Sequence, residues 1–189
     1  RNTNLEQLAG LMTTFESLHH WVNRANRLFK EGLFDGALQC ADNALKADER
    51  QIGLWDLKAA CLMKLKKWDE ALSCYEKLSQ LDPFRASIWS SHGECLNNLG
   101  RYEEAVASFQ RAVSKDTFFA PPWFHQGNAL LKLERFEEAL AAFDRALSID
   151  PGMLEAHKGK GDAYIRMGQT AEAEKCYQRA MKSDKPDFP

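Results

Sequence analysis

From Leu18 onward, apolar and small residues return every 34 positions, in blocks 18–51, 52–85, 86–119, 120–153 and 154–187 without one insertion. The fourth position of a block reads Trp21, Trp55, Trp89, Trp123, His157, and the eighth reads Ala25, Ala59, Gly93, Gly127, Gly161. The eleventh reads Leu28, Leu62, Leu96, Leu130, Tyr164. The twentieth is always alanine: Ala37, Ala71, Ala105, Ala139, Ala173. The twenty-fourth reads Ala41, Tyr75, Phe109, Phe143, Tyr177, and the twenty-seventh Ala44, Leu78, Ala112, Ala146, Ala180. A fixed period of this length is the signature of a repeat architecture.

Within a block, positions four, eight and eleven share one face of a helix of about 3.6 residues per turn, and so do twenty, twenty-four and twenty-seven. Glycine marks the break between them in Leu99-Gly100-Arg101 and Met167-Gly168-Gln169, where it suits a helix C-terminus. Acidic pairs follow, as in Asp69-Glu70, Glu103-Glu104 and Glu137-Glu138, and carboxylates in a first turn complement the helix dipole. Each block closes on Asp48, Asp82, Asp116, Asp150 or Asp184, with Pro83 and Pro151 behind two of them. Proline disfavours helix in the residue before it. Every block therefore predicts helix A, a tight turn and helix B. Small residues at positions eight and twenty let the two backbones approach, and the Trp and aromatic positions are expected to fill the core. Residues 1–17 fall outside the register, but Leu5, Leu8, Leu11, Met12 and Phe15 form an apolar stripe that predicts one further helix packed on the first block. Residues 188–189 are a tail.

At these positions the chain resembles the tetratricopeptide repeat family. Its pattern W-x2-L-G-x2-Y…A-x3-F…P is met through Trp89, Gly93, Leu96, Ala105 and Phe109, and again through Trp123, Gly127, Leu130, Ala139 and Phe143. The first block departs from it at Gly36, Ala41 and Glu49, the last at His157, Lys160, Thr170 and Lys185. Atypical terminal repeats are expected where an outer face lacks a neighbour. The resemblance implies an all-α, right-handed α-solenoid of helix-turn-helix repeats, with helix A lining a concave groove.

Composition narrows the function. With 25 basic against 27 acidic side chains, the net charge is −2, and no basic face marks a nucleic-acid binder. No apolar run is long enough for a membrane span. Cys40, Cys61, Cys74, Cys95 and Cys176 are odd in number and have no metal-ligand spacing, which suits small buried thiols in a reducing, cytoplasmic setting. The chain opens on Arg1 and reads as a segment of a longer protein. No nucleophile, phosphate-loop or metalloprotease motif is present. Gly159-Lys160-Gly161 lies within a helix A, so helix packing explains it better than phosphate binding. His19 and His20 point to different helix faces, which is wrong for joint ligation. No catalytic residue, cofactor or metal is expected.

What remains is surface. In the family, helix A positions two, five, six, nine, twelve and thirteen face the groove. Residues at those positions expected to meet a partner are Val22, Asn26 and Phe29 in the first block, then Asp56, Leu57 and Met63. The third block contributes Ser90 and Glu94, the fourth Phe124, His125, Asn128 and Lys132, and the fifth Lys158 and Arg166. The same columns hold Asn97, Asn98, Leu131, Asp162 and Ile165. Apolar anchors mixed with both charge signs favour a protein partner supplying a peptide or helix over a strongly anionic ligand. The clearest stretch is expected over blocks two to four. A carboxylate clamp for heat-shock tails would need Lys, Asn, Asn, Lys and Arg where this chain has Val22, Asn26, Leu57, Ser87 and Ser91. Acidic heat-shock tail peptides are therefore not expected partners. The asparagine ladder of sugar-transferring members is missing too, since its column reads Asn23, Leu57, Ser91, His125, Gly159.

The expected function is a non-enzymatic interaction scaffold. The alternatives are a regulatory or targeting segment of a larger enzyme and a self-assembling, homo-oligomeric array. The junction 117–124 carries four aromatics and no charge. Trp123 there fills the signature position, whereas Phe118 and Phe119, with Phe84 one block earlier, are left over. They predict an edge patch with at least one ring exposed, of the kind that marks interaction sites.

Overall fold

The computed structural model describes residues 18–182; the expected helix within 1–17 and the tail at 188–189 lie outside them. Among the described residues there are ten α-helices and no strand. They fall into two compact units, Arg1–Pro83 and Phe84–Pro189. No helix is long and apolar enough to cross a membrane.

The first unit holds α1 (18–30), α2 (Phe34–Ala47), α3 (Ile52–Lys64) and α4 (Trp68–Leu81). Here α2 packs on α3 and α3 on α4. Ala44, Leu45 and Leu54 form a core on which Leu18, Trp21, Val22 and Trp55 close. An ion pair of 2.7 Å between Lys58 and Asp42 ties α3 to α2.

The second unit holds α5 (Ala86–Asn98), α6 (Tyr102–Lys115), α7 (Ala120–Lys132), α8 (Phe136–Ile149), α9 (Leu154–Arg166) and α10 (Thr170–Lys182). Each helix packs on the next, and α5 also touches α7 as α7 touches α9. The A helices thus form a row of their own. In each pair a glycine of helix A faces an aromatic ring of helix B. A Cβ at Gly93 would lie 2.6 Å from Phe109, one at Gly127 2.6 Å from Phe143, and one at Gly161 2.5 Å from Tyr177. The ring occupies the space where a Cβ would stand.

The turns repeat as closely as the cores. Residue fifteen of each block takes a left-handed backbone: Gly32, Lys66, Gly100, Glu134 and Gly168 all have φ between 57 and 76°. The next N–H then reaches back to the carbonyl at position eleven, as in Arg101 to Leu96 at 2.9 Å and Arg135 to Leu130 at 2.9 Å. This is the glycine-favoured C-terminal cap, and in two blocks Lys or Glu fills it despite the strain. Helix B then starts on its acidic pair. Arg101 and Arg135 grip Glu104 and Glu138 through two hydrogen bonds each. At the far end, the Asp116 carboxylate accepts the Phe118 N–H at 3.0 Å, and Asp150 accepts that of Gly152 at 3.1 Å.

Burial follows the alanine column and departs at the tryptophans. All five alanines at position twenty are fully buried. Trp21, Trp55, Trp89 and Trp123, expected in the core, are only half-buried. The reason is visible at two of them, where a helix B arginine covers the ring: Arg111 lies 4.8 Å over Trp89 and Arg145 5.8 Å over Trp123. In these two helix pairs the indole seals the edge, with the guanidinium as the lid.

Candidate functional site

The expected partner-binding residues separate into three groups. Two of those in the first unit serve its own packing. Val22 closes on the core and Phe29 meets Phe34 edge-on at 5.4 Å. Asn26 is exposed, and its amide donates to Val22 O of its own helix at 3.0 Å. Asp56, Leu57 and Met63 are half-buried on α3.

A second group closes on itself between α5 and α7. His125 Nε2 lies 3.7 Å from Glu94 Oε1, and its ring stacks on Phe109 and meets Phe124 at 5.1 Å. Phe124 in turn leans on Phe143 at 6.1 Å. Burial raises the Glu94 pKa and lowers that of His125, so desolvation pushes each toward its neutral form. Ser90 corrects an expectation. It is 2% exposed, because position five of α5 turns into the packed face of the unit, and it offers a partner nothing.

The third group is open. Asn128, Leu131 and Lys132 of α7 with Asp162, Ile165 and Arg166 of α9 line a depression of about 630 Å³. A neighbouring one of about 230 Å³ is lined by Asn97, Asn98, Tyr102, Asn128 and Lys132. The two share Asn128 and Lys132. Ile165 is 48% exposed at the mouth. Arg166 is engaged: its Nη2 donates to Glu134 Oε1 at 2.7 Å, and its guanidinium lies 5.4 Å over the Phe136 ring. Asp162 Oδ1 accepts the Tyr177 hydroxyl at 2.7 Å. That bond to a carboxylate pushes the Tyr177 pKa up to about 12. Lys158 is exposed on α9 outside both depressions.

Sequence columns named most of this wall but missed Tyr102 and Glu134. Tyr102 belongs to helix B, outside the family's groove positions. Glu134 had a visible signal, since it stands where three other blocks have glycine.

The aromatic edge is equally plain. Phe84 is 77% and Phe118 81% exposed, whereas Phe119 is half-buried. Lys115 lies 5.1 Å over the Phe84 ring. Phe118 borders a depression of about 350 Å³ with Trp123, Arg145 and Ile149.

All five cysteines are free and buried, and burial pushes Cys61 and Cys74 up to about 11. Among the described residues no three His, Cys, Asp or Glu side chains gather as a metal site.

Comparison with known proteins gives a consistent answer. Tetratricopeptide repeat profiles match residues 57–118 and 130–189, and the profile of anaphase-promoting complex, cyclosome, subunit 3 matches residues 5–78. No curated protein matches at a significant level. Among solved structures, the MamA protein is similar at a TM-score of 0.82 with 22% identity, covering 92% of this chain and 99% of that one. A MamA fragment from Desulfovibrio magneticus reaches 0.84 with 17% identity, covering 92% and 98%. YrrB, described as a TPR protein with an unusual peptide-binding site, reaches 0.71 with 23% identity, covering 89% and 86%. At these identities the likeness shows the fold.

Proposed function

The chain belongs to the tetratricopeptide repeat family, and from that premise we propose a non-enzymatic interaction scaffold that holds a peptide segment of a partner protein. The A-helix face of residues 84–182 carries the site. The observation behind this reading is the pair of adjoining depressions that share Asn128 and Lys132. They present side-chain amides, an aliphatic floor and a cation together, the mixture an extended peptide needs for its backbone and side chains. The sequence expectation centred the groove on blocks two to four; the open volume supports a site further along, on α7 and α9. YrrB, a member of the same fold with a peptide-binding site in its own description, agrees with the class of ligand. A net charge of −2 argues against nucleic acid as partner, and five buried free thiols fit a reducing, cytoplasmic compartment.

The test is selection of displayed random peptides on the folded chain, followed by affinity measurement on Asn128→Ala and Lys132→Glu. Selected peptides should weaken on both. Undiminished binding would move the site elsewhere. A second reading, self-assembly, draws on the exposed Phe84 and Phe118 rings. Sedimentation over a concentration series should then show association that Phe118→Ser abolishes; a monomer at every concentration would end it.

A further inference from the structure

The charges around the α7/α9 depression are not equivalent. Arg166 and Glu134 satisfy one another at 2.7 Å. Glu134 does so from a left-handed backbone with φ of 58°, which ordinarily costs about 1–2 kcal/mol for a residue with a Cβ. Arg166, which lines the depression, is thus already paired and needs nothing from a ligand. Two charges remain for an occupant. Lys132 on α7 is exposed and has no ion pair among the described residues. The Asp162 carboxyl on α9 is met by the neutral hydroxyl of Tyr177 and by no ion pair among the described residues. The half-buried Leu131 and the exposed Ile165 line the same depression and supply its apolar floor.

Resting on the peptide-scaffold reading above, we propose that this depression selects a peptide segment bearing an acidic, an aliphatic and a basic side chain in that order from α7 to α9. The acid pairs with Lys132, the aliphatic side chain lies on Leu131 and Ile165, and the base pairs with Asp162. Packed helices stand about 8–10 Å apart and an extended peptide advances about 3.3 Å per residue. Acid and base therefore fall about two to three residues apart. The opposed charges set the direction in which the peptide lies, because a reversed peptide would set acid against Asp162 and base against Lys132. Like charges brought together reject the wrong partner more strongly than matched ones hold the right one.

The test uses the full chain and random dodecapeptides displayed through their C-termini, so no peptide offers a free terminal carboxylate. Enriched peptides should carry the acid–aliphatic–base pattern. A synthetic copy of the best one should lose about tenfold in affinity on Lys132→Glu, the effect of losing one charged contact. Replacing the acid of that peptide by lysine should restore binding to Lys132→Glu while weakening it on the unaltered chain. Ile165→Glu should weaken both peptides. If enriched peptides show no charge pattern and keep their affinity on Lys132→Glu and Ile165→Glu, but lose it on Phe124→Ala, the subsite is overturned and the scaffold reading stands. If the folded chain enriches no peptide, the scaffold reading falls and takes the subsite with it.

Discussion

In residues 84–182 every helix pair closes in the same way, with Gly93 under Phe109, Gly127 under Phe143 and Gly161 under Tyr177. In residues 18–83 the same two positions hold Ala25 with Ala41 and Ala59 with Tyr75. The first helix pair has no ring at that site, and its close contact is instead between Leu28 and Gly36, 3.3 Å from a Cβ there. A rigid ring against a bare backbone leaves no slack, whereas a leucine end against a glycine can rotate away. Phe143 takes this furthest: a Cβ at Gly159 of the next helix A would also lie 2.6 Å from it. One ring thus fixes α7, α8 and α9 together, and α7 and α9 carry the open depression. The regular unit holds the candidate site on a rigid frame; the irregular one spends its A-helix residues on its own core.

The largest effect that would break this comparison is at the ring itself. Phe143→Ala should cost about 3–5 kcal/mol in urea unfolding and weaken peptide binding, since both walls of the depression rest on it. A loss below about 1 kcal/mol would contradict the triple contact. Gly127→Ala should follow, with a loss of about 1–3 kcal/mol from overpacking. Gly36→Ala should go the other way, gaining up to about 1 kcal/mol of helix propensity as Leu28 yields. Changes of the same sign in both variants would erase the contrast between the units.

Most of the architecture was legible because it is carried by period. The alanine column, the helix pairs, the acidic starts and the closing aspartates all follow from spacing. What spacing hides is how far each column is covered. The tryptophans looked like core, but at Trp89 and Trp123 an arginine of the next helix caps the ring, and only the packing of the two helices shows that. Ser90 shares a groove column with Phe124, yet one is buried and the other leans across the helix row. Position fifteen shows two departures from glycine, Lys66 and Glu134, but the hydrophobic pattern is blind to φ and gives no sign that both keep the left-handed backbone. The edge rings were half-legible. Their excess was plain in the sequence, but which of them stay exposed, Phe84 and Phe118 and not Phe119, was not.

Smaller effects sharpen the picture. Lys66→Gly should gain about 1 kcal/mol by relieving the left-handed backbone. Glu134→Gly should gain less, because it also removes the partner of Arg166. The smallest effect is a pH dependence between α5 and α7. His125 has a lowered pKa, so the unfolded chain binds its proton first and stability falls as pH drops through the histidine range. Glu94 has a raised pKa, so the folded chain takes its proton first and regains stability on further acidification. Glu94→Gln should remove the second contribution and leave a steeper acid loss in urea midpoints between pH 7.5 and 5. An unchanged profile would show that the carboxyl titrates as in the unfolded chain.

The central claim is that the α7/α9 depression holds the partner peptide. Methyl NMR of the full chain, titrated with the best selected peptide, reads it most directly. The account predicts that the Leu131 and Ile165 methyls shift most. Shifts concentrated on Ile149, beside the exposed Phe118 ring, or on Leu57 of α3, with Leu131 and Ile165 unmoved, would contradict it.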